Sequence, residues 1–312
     1  KVSAGSANIT ITGSGSNSVD FANITNKTSG TVTYAITDTS GNLGTSTASN
    51  LLTASTIVGT DDGGSTGSTI DLDDFTSVSN LTSLSLTGDT GVNNVELSTV
   101  LSESNKTTID FVNDSSADRL IFNIADSTNF VEFAADGSIA SGSSSTFTFN
   151  KINNFDIAGE DLLGIFYGGN TTKGVYSDIT TSSSTFSMKL HDGVIYEDNF
   201  NSHNGLYITN ANASNALAVK NNIGGLIQAG GSGFNSIGSS SLDFTYVLYG
   251  QSSDNSSQTS AYVYAGTYGS TNTLSGNFDA SQLKIVGLAE IINITDGSLV
   301  TGSTTNSKGV LG

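Results

Sequence analysis

The sequence predicts an all-β chain of solenoid-like or sandwich-like strands, with one short helix near residues 211–229. Three observations carry that expectation. Apolar β-branched and aromatic residues alternate with polar ones in short runs; Gly, Asn, Asp and Ser separate the runs; and only one stretch spaces its apolar residues at a helical period. Polarity comes from Ser, Thr, Asn and Gly rather than from charge, since charged residues make up only 12% of the 312. With 15 Phe and 10 Tyr, the chain has the aromatic content of a folded protein.

The strand runs are, in order, Asn8–Thr12, Thr31–Thr37, Leu81–Thr87, Thr107–Val112, Leu120–Ile124, Thr146–Phe149, Val194–Tyr196, Phe244–Tyr249 and Ala261–Tyr264. Some of them repeat. Ile9-Thr-Ile11-Thr-Gly13 is echoed by Leu84-Ser-Leu86-Thr-Gly88, and each is followed by a Gly-X-Asn-X-Val turn, at Gly15–Val19 and Gly91–Val95. A third such turn is Gly233–Ile237, and Thr69-Ile-Asp71 likewise matches Thr108-Ile-Asp110. Strand-plus-turn units of this kind can stack as rungs, each burying its neighbour's apolar face. Asn212–Gln228 is the helical stretch: Ala216, Val219, Ile223, Leu226 and Ile227 fall on one face, with Asn212 or Ser214 as the expected N-cap. Gly224 and Gly225 oppose it. The texture changes near Ser115, which suggests a repeat-like β domain over 1–115, a C-terminal β domain over 116–300 containing the helix, and a tail over 301–312.

Charge and composition exclude several functions. The net charge is −18 and Arg119 is the only arginine, so the chain lacks the basic clusters that nucleic acid or an anionic membrane surface requires. No apolar run is long enough for membrane insertion. Without Cys there are no disulfides, and without Pro no slow prolyl isomerisation limits folding. Lys1 opens no signal-peptide pattern, which leaves a removed signal, a fragment, or export without an N-terminal signal.

The carboxylates point to calcium, because Asp in turns supplies the hard oxygen ligands that this ion takes. Three groups are candidates: Asp61 and Asp62 in a Gly-rich loop near Asp71 and Asp73; Asp156, Glu160 and Asp161; and Asp192 with Asp198, flanking Val194–Tyr196. The Gly-X-Asn-X-apolar turns look like degenerate calcium nonapeptides in which Asn17, Asn93 and Asn235 replace Asp. Catalytic patterns are poor. Gly63-Gly-Ser65-Thr-Gly67 fits a nucleophile elbow in letters only, with no strand-to-helix context, and His191 and His203 stand alone. The chain is not expected to be an enzyme.

With these residues in view, the sequence resembles bacterial S-layer and repeats-in-toxin-like surface proteins exported by type I secretion. The resemblance is carried by Ser116-Ala-Asp118-Arg-Leu120-Ile-Phe122-Asn123 and by Ile152-Asn-Asn-Phe155-Asp156 followed by Asp161-Leu162-Leu163. Asp243–Val247, Ala261–Tyr264 and Leu283–Leu288 resemble the closing strands of such proteins. Intact calcium nonapeptides are missing. The resemblance implies a secreted, calcium-stabilised structural protein at the cell surface, assembling with itself into an S-layer or fibre and having no catalytic residues. Cell-surface polysaccharide is a further partner on this reading. The alternative is an adhesin domain that binds a host or glycan surface.

Overall fold

The computed structural model describes residues 7–12, 32–45, 54–60, 68–72, 81–89, 91, 93–98, 107–112, 118–124, 128–155, 161–167, 179–182, 187–191, 194–197, 210–229, 242–269, 278–292 and 310–311. Among the described residues the first part of the chain is mostly strand. Its elements are β1 (Ala7–Thr12), β2 (Val32–Thr39), a short helix α1 (Ser40–Thr45), β3 (Ala54–Thr60), β4 (Ser68–Leu72), β5 (Ser83–Gly88), β6 (Asn93–Ser98), β7 (Thr108–Asp110), β8 (Arg119–Ile124), β9 (Val131–Glu132), β10 (Asn150–Asn153) and β11 (Leu162–Tyr167). There follow β12 (Ile179–Ser182), β13 (Ser187–His191), β14 (Val194–Glu197), α2 (Asn210–Ala213), α3 (Ala216–Ala229), β15 (Leu242–Gln251), β16 (Thr259–Tyr268), β17 (Leu283–Ile292) and β18 (Val310–Leu311). The protein is thus mostly β, and α3 is the one substantial helix among the described residues.

From β3 onwards the chain steps between two sheets. β3, β5, β7 and β10 lie side by side in a large sheet, and β4, β6, β8 and β11 in a smaller one, with every neighbouring pair parallel. β2 and then β1 extend the large sheet in the same sense. Parallel stacking sets like residues above one another. One column of the large sheet runs Ile11, Ile36, Ile57, Leu84, Ile109, Ile152 and Ile291. In the small sheet the column is Ile70, Val95, Leu120, Leu163 and Leu311. Ile57, Leu84, Ile109, Ile152, Val95, Leu120 and Leu163 are all fully buried. These columns hold the coil together, each rung covering the apolar face of the next.

The later region is antiparallel except where β14 joins β15 in parallel. β15, β16 and β17 form a meander of ten-residue strands, and β12, β13 and β14 continue the same sheet beyond β15. One edge of β17 serves both regions: β10 pairs with its later half in parallel, and β9 with its earlier half antiparallel. Helix α3 packs on the meander through Ala216, Val219 and Ile223, against Tyr246, Tyr262, Tyr264 and Leu283.

Several sequence expectations shift here. The N-cap of α3 is Asn215, whose Oδ1 accepts the Ala218 N–H at 3.0 Å, rather than Asn212 or Ser214. Gly224, unfavourable for a helix, is needed for packing. A Cβ there would sit 2.8 Å from the Phe278 ring. Thr146–Phe149 is not a strand: apart from a single bridge from Thr146 to Asn215, its aromatics serve the core, and ladder pairing starts at Asn150. The Ile9–Gly13 and Leu84–Gly88 echo does reflect two strands of one sheet, but Leu84 stacks in the column of Ile11, not of Ile9. Thr69–Asp71 and Thr108–Asp110 lie in opposite sheets. Both sheets continue in parallel pairing across residues 115–116.

Candidate functional site

Each of the four parallel strands of the small sheet, β4, β6, β8 and β11, is preceded or begun by a polar residue, two positions before the aliphatic residue of the column. Ser68, Asn93, Asp118 and Asp161 therefore form a column of their own. Three of them are linked rung to rung. Asp161 Oδ1 accepts the Asp118 N–H at 3.0 Å, and Asp118 Oδ1 accepts the Asn93 N–H at 2.7 Å. All three residues are buried, and the separations are 25 and then 43 residues. Asn93 Nδ2 donates to Gly91 O at 3.0 Å, while its Oδ1 has no partner among the described residues. The ladder's evident work is to satisfy backbone N–H groups at the corner of the coil, where no ladder hydrogen bond reaches them.

The large sheet has the same device. Asn150 Oδ1 accepts the Thr107 N–H at 3.1 Å, and Asn150 Nδ2 donates to Leu288 O at 2.9 Å. One amide therefore ties the coil to β17. At the far end of these strands, Asn153 Nδ2 donates to Asp110 Oδ1 at 2.5 Å and Asn154 Nδ2 to Phe111 O at 3.1 Å.

Another buried acid lies at the junction with the meander. Glu290 is 2% exposed and stands in register between Lys151 of β10 and Tyr262 of β16. It accepts the Ser253 N–H at 2.7 Å and the Ser253 hydroxyl at 2.5 Å. The Tyr262 hydroxyl donates to Gln251 O at 2.5 Å and lies 3.2 Å from Glu290 Oε1. Asp254, the next residue along, pairs with Lys151. Glu290 thereby pins the β15–β16 loop over the seam between the two regions.

Of the expected calcium ligands, two lie among the described residues. Asp161 is a member of the buried ladder, and Asp71 lies on β4 in register with Glu96. Asp61, Asp62, Asp73, Asp156, Glu160, Asp192 and Asp198 lie outside the described residues, as do Asn17, Asn235, Ser65 and His203. His191 ends β13. Among the described residues no three His, Cys, Asp or Glu side chains converge to hold a metal ion, and no helix is long and apolar enough to cross a membrane. Burial raises the Tyr264 hydroxyl pKa well above the usual tyrosine value; its hydroxyl donates to Ala213 O at 2.7 Å.

No family model, curated protein or solved structure matches the chain. Sequence reasoning named Asp161 as a metal ligand and missed the roles of Asp118, Asn150 and Glu290. A usable signal exists for the ladders. Asn93-X-Val95, Asp118-X-Leu120, Asp161-X-Leu163, Thr107-X-Ile109 and Asn150-X-Ile152 all place a polar residue two positions before a column aliphatic. Glu290 sits in an apolar strand and has no comparable signature.

Proposed function

We propose that this chain is an extracellular structural protein that assembles with copies of itself into a surface layer or fibre, steadied by calcium. The observation that best supports this reading is the stacked parallel coil, whose large sheet stops at β1 with one edge unpaired among the described residues. A sheet end of that kind is a template for another strand. The acidic balance fits the calcium part of the reading, since a charge of −18 opposes close approach of copies unless a cation intervenes. The adhesin alternative calls for an exposed aromatic platform, whereas Tyr246, Tyr262, Tyr264 and Tyr268 are built into the core. Buried polar groups engaged with backbone suit a scaffold better than a catalyst, so the reading remains non-enzymatic.

Electron microscopy of the purified chain tests this. Ordered layers or fibres are expected with calcium, dispersal after chelation, and restoration by calcium but not by NaCl, which screens diffuse repulsion without filling a site. A chain that stays dispersed in calcium would end the proposal.

A further inference from the structure

Assembly requires a surface on which two copies meet, so this inference rests on the self-assembly reading. The two ends of the coil differ. At the later end, β17 lies along β10 in the large sheet and β18 along β11 in the small one. At the first end, β1 pairs with β2 alone among the described residues. Natural sheet edges are guarded by charge, proline, bulges or short strands. β1 has none of these: it is Ala-Asn-Ile-Thr-Ile-Thr, paired with β2 through six consecutive positions without a bulge. β4, the first strand of the small sheet, carries Asp71.

We infer that β1 is the contact between two copies of this chain, which meet head to head with β1 antiparallel to β1 about a two-fold axis at Thr10. The strand is self-complementary in that register. Asn8 falls opposite Thr12, Ile9 opposite Ile11, and Thr10 opposite itself, so isoleucine meets isoleucine and polar meets polar. Ile11 heads the aliphatic column of the large sheet, and in this register it falls opposite Ile9 of the second copy, so each coil's column meets an isoleucine of the other. The occupied later end denies a copy the head-to-tail stacking that would extend one coil into the next. The other strands of that sheet paired on one side only among the described residues, β12 and β9, have four and two residues and cannot match the six of β1. Charge favours the same place, because an uncharged strand lets two acidic chains approach without opposing carboxylates.

Light scattering after size-exclusion chromatography of the full chain tests the inference. The wild type is expected to run as a dimer of 31.9 kDa chains, in chelator as well as in calcium. Thr10→Lys and Thr10→Glu, which place like charges face to face at the axis, are each expected to run as monomers. An equimolar mixture of the two is expected to recover the dimer, and this recovery also shows that both variants are folded. Thr10→Ser keeps the dimer. A monomeric wild type, or variants that stay dimeric alone, overturns the inference. Failure of the mixture to pair means that β1 meets a different edge, and overturns it too. Layers that form equally well from Thr10→Lys sink this contact but spare the assembly reading. Dimers that never form layers do the reverse.

Discussion

The parallel coil and the antiparallel meander share one sheet yet are held together differently. In the coil, short strands stack in register, and each buried aliphatic residue touches the rung before and the rung after it. Polar residues at the corners, Asn93, Asp118, Asp161 and Asn150, tie those rungs through single hydrogen bonds. In the meander, strands of ten residues carry a cluster of rings. Phe147 and Phe149 meet Tyr264 edge-on at centroid separations of 5.3 and 5.4 Å, and α3 closes over the same rings. A repetitive stack gains cohesion as a sum of similar neighbour terms, whereas a single aromatic core is lost or kept as a whole. The chain therefore joins a region that tolerates local damage to one that does not.

The largest test of that difference is truncation on each side. Tyr264→Ala removes a fully buried ring and is expected to cost about 3–5 kcal/mol, with loss of the meander and α3 together. Leu84→Ala, equally buried, is expected to cost about 2–5 kcal/mol, while hydrogen exchange rises in β3, β5 and β7 more than in β15–β17. Equal loss of protection in both regions from either variant would remove the distinction. A pH series sharpens it. Burial raises the folded-state pKa of Tyr264, so the stability it contributes is complete below the unfolded tyrosine pKa, about 10, and falls as pH rises beyond it. Tyr264→Phe should flatten that alkaline decline in urea midpoints, and an unchanged slope would contradict the assignment.

A smaller effect is expected from the ladder. Asp118→Ala leaves the Asn93 N–H buried without an acceptor and should cost about 1–3 kcal/mol. Asp118→Asn keeps an oxygen in place and should recover much of the loss. If calcium rather than the backbone were Asp118's partner, the Asn variant would lose calcium-dependent stability, which a chelator titration would reveal.

Residue pattern gave the β class and α3 because both are written locally, in alternation and in the spacing of Ala216, Val219 and Ile223. It allowed stacked rungs but did not decide between a solenoid and a sandwich, nor give the register of the two sheets. The 25-residue rung, as between Asn93 and Asp118, is interrupted where 43 residues separate Asp118 from Asp161. The lengthened turn contains Val131, Phe133 and Phe147, which belong to the meander's core, so a repeat search meets foreign sequence there. α1 was missed because Ser40-Gly-Asn-Leu-Gly-Thr reads as a turn, with Leu43 its one aliphatic residue. The site was the least legible part. A carboxylate that caps a backbone N–H and one that binds calcium look alike in sequence, and nothing in the residues around Asp161 announces that its Oδ1 accepts the Asp118 N–H.

The smallest effect concerns the seam between the two regions. Among the described residues one ion pair crosses it, Lys151 with Asp254 at 37% and 47% exposed, and a second, Lys284 with Glu132 at 2.6 Å and 48% exposed on each side, ties β9 to the shared strand β17. Water screens both, and holding long side chains in place costs entropy, so each contributes no more than about 1 kcal/mol. Backbone pairing of β17 with β9 and β10, the Asn150 amide and buried Glu290 are the stronger ties. The double variant Lys151→Ala, Lys284→Ala should therefore shift the denaturation midpoint only slightly and keep a single transition. Moderate NaCl should leave the wild type nearly unchanged as well. If the double variant instead unfolds in two steps, the charges rather than the shared strand edge join the coil to the meander, and the regions are more separable than their common sheet implies.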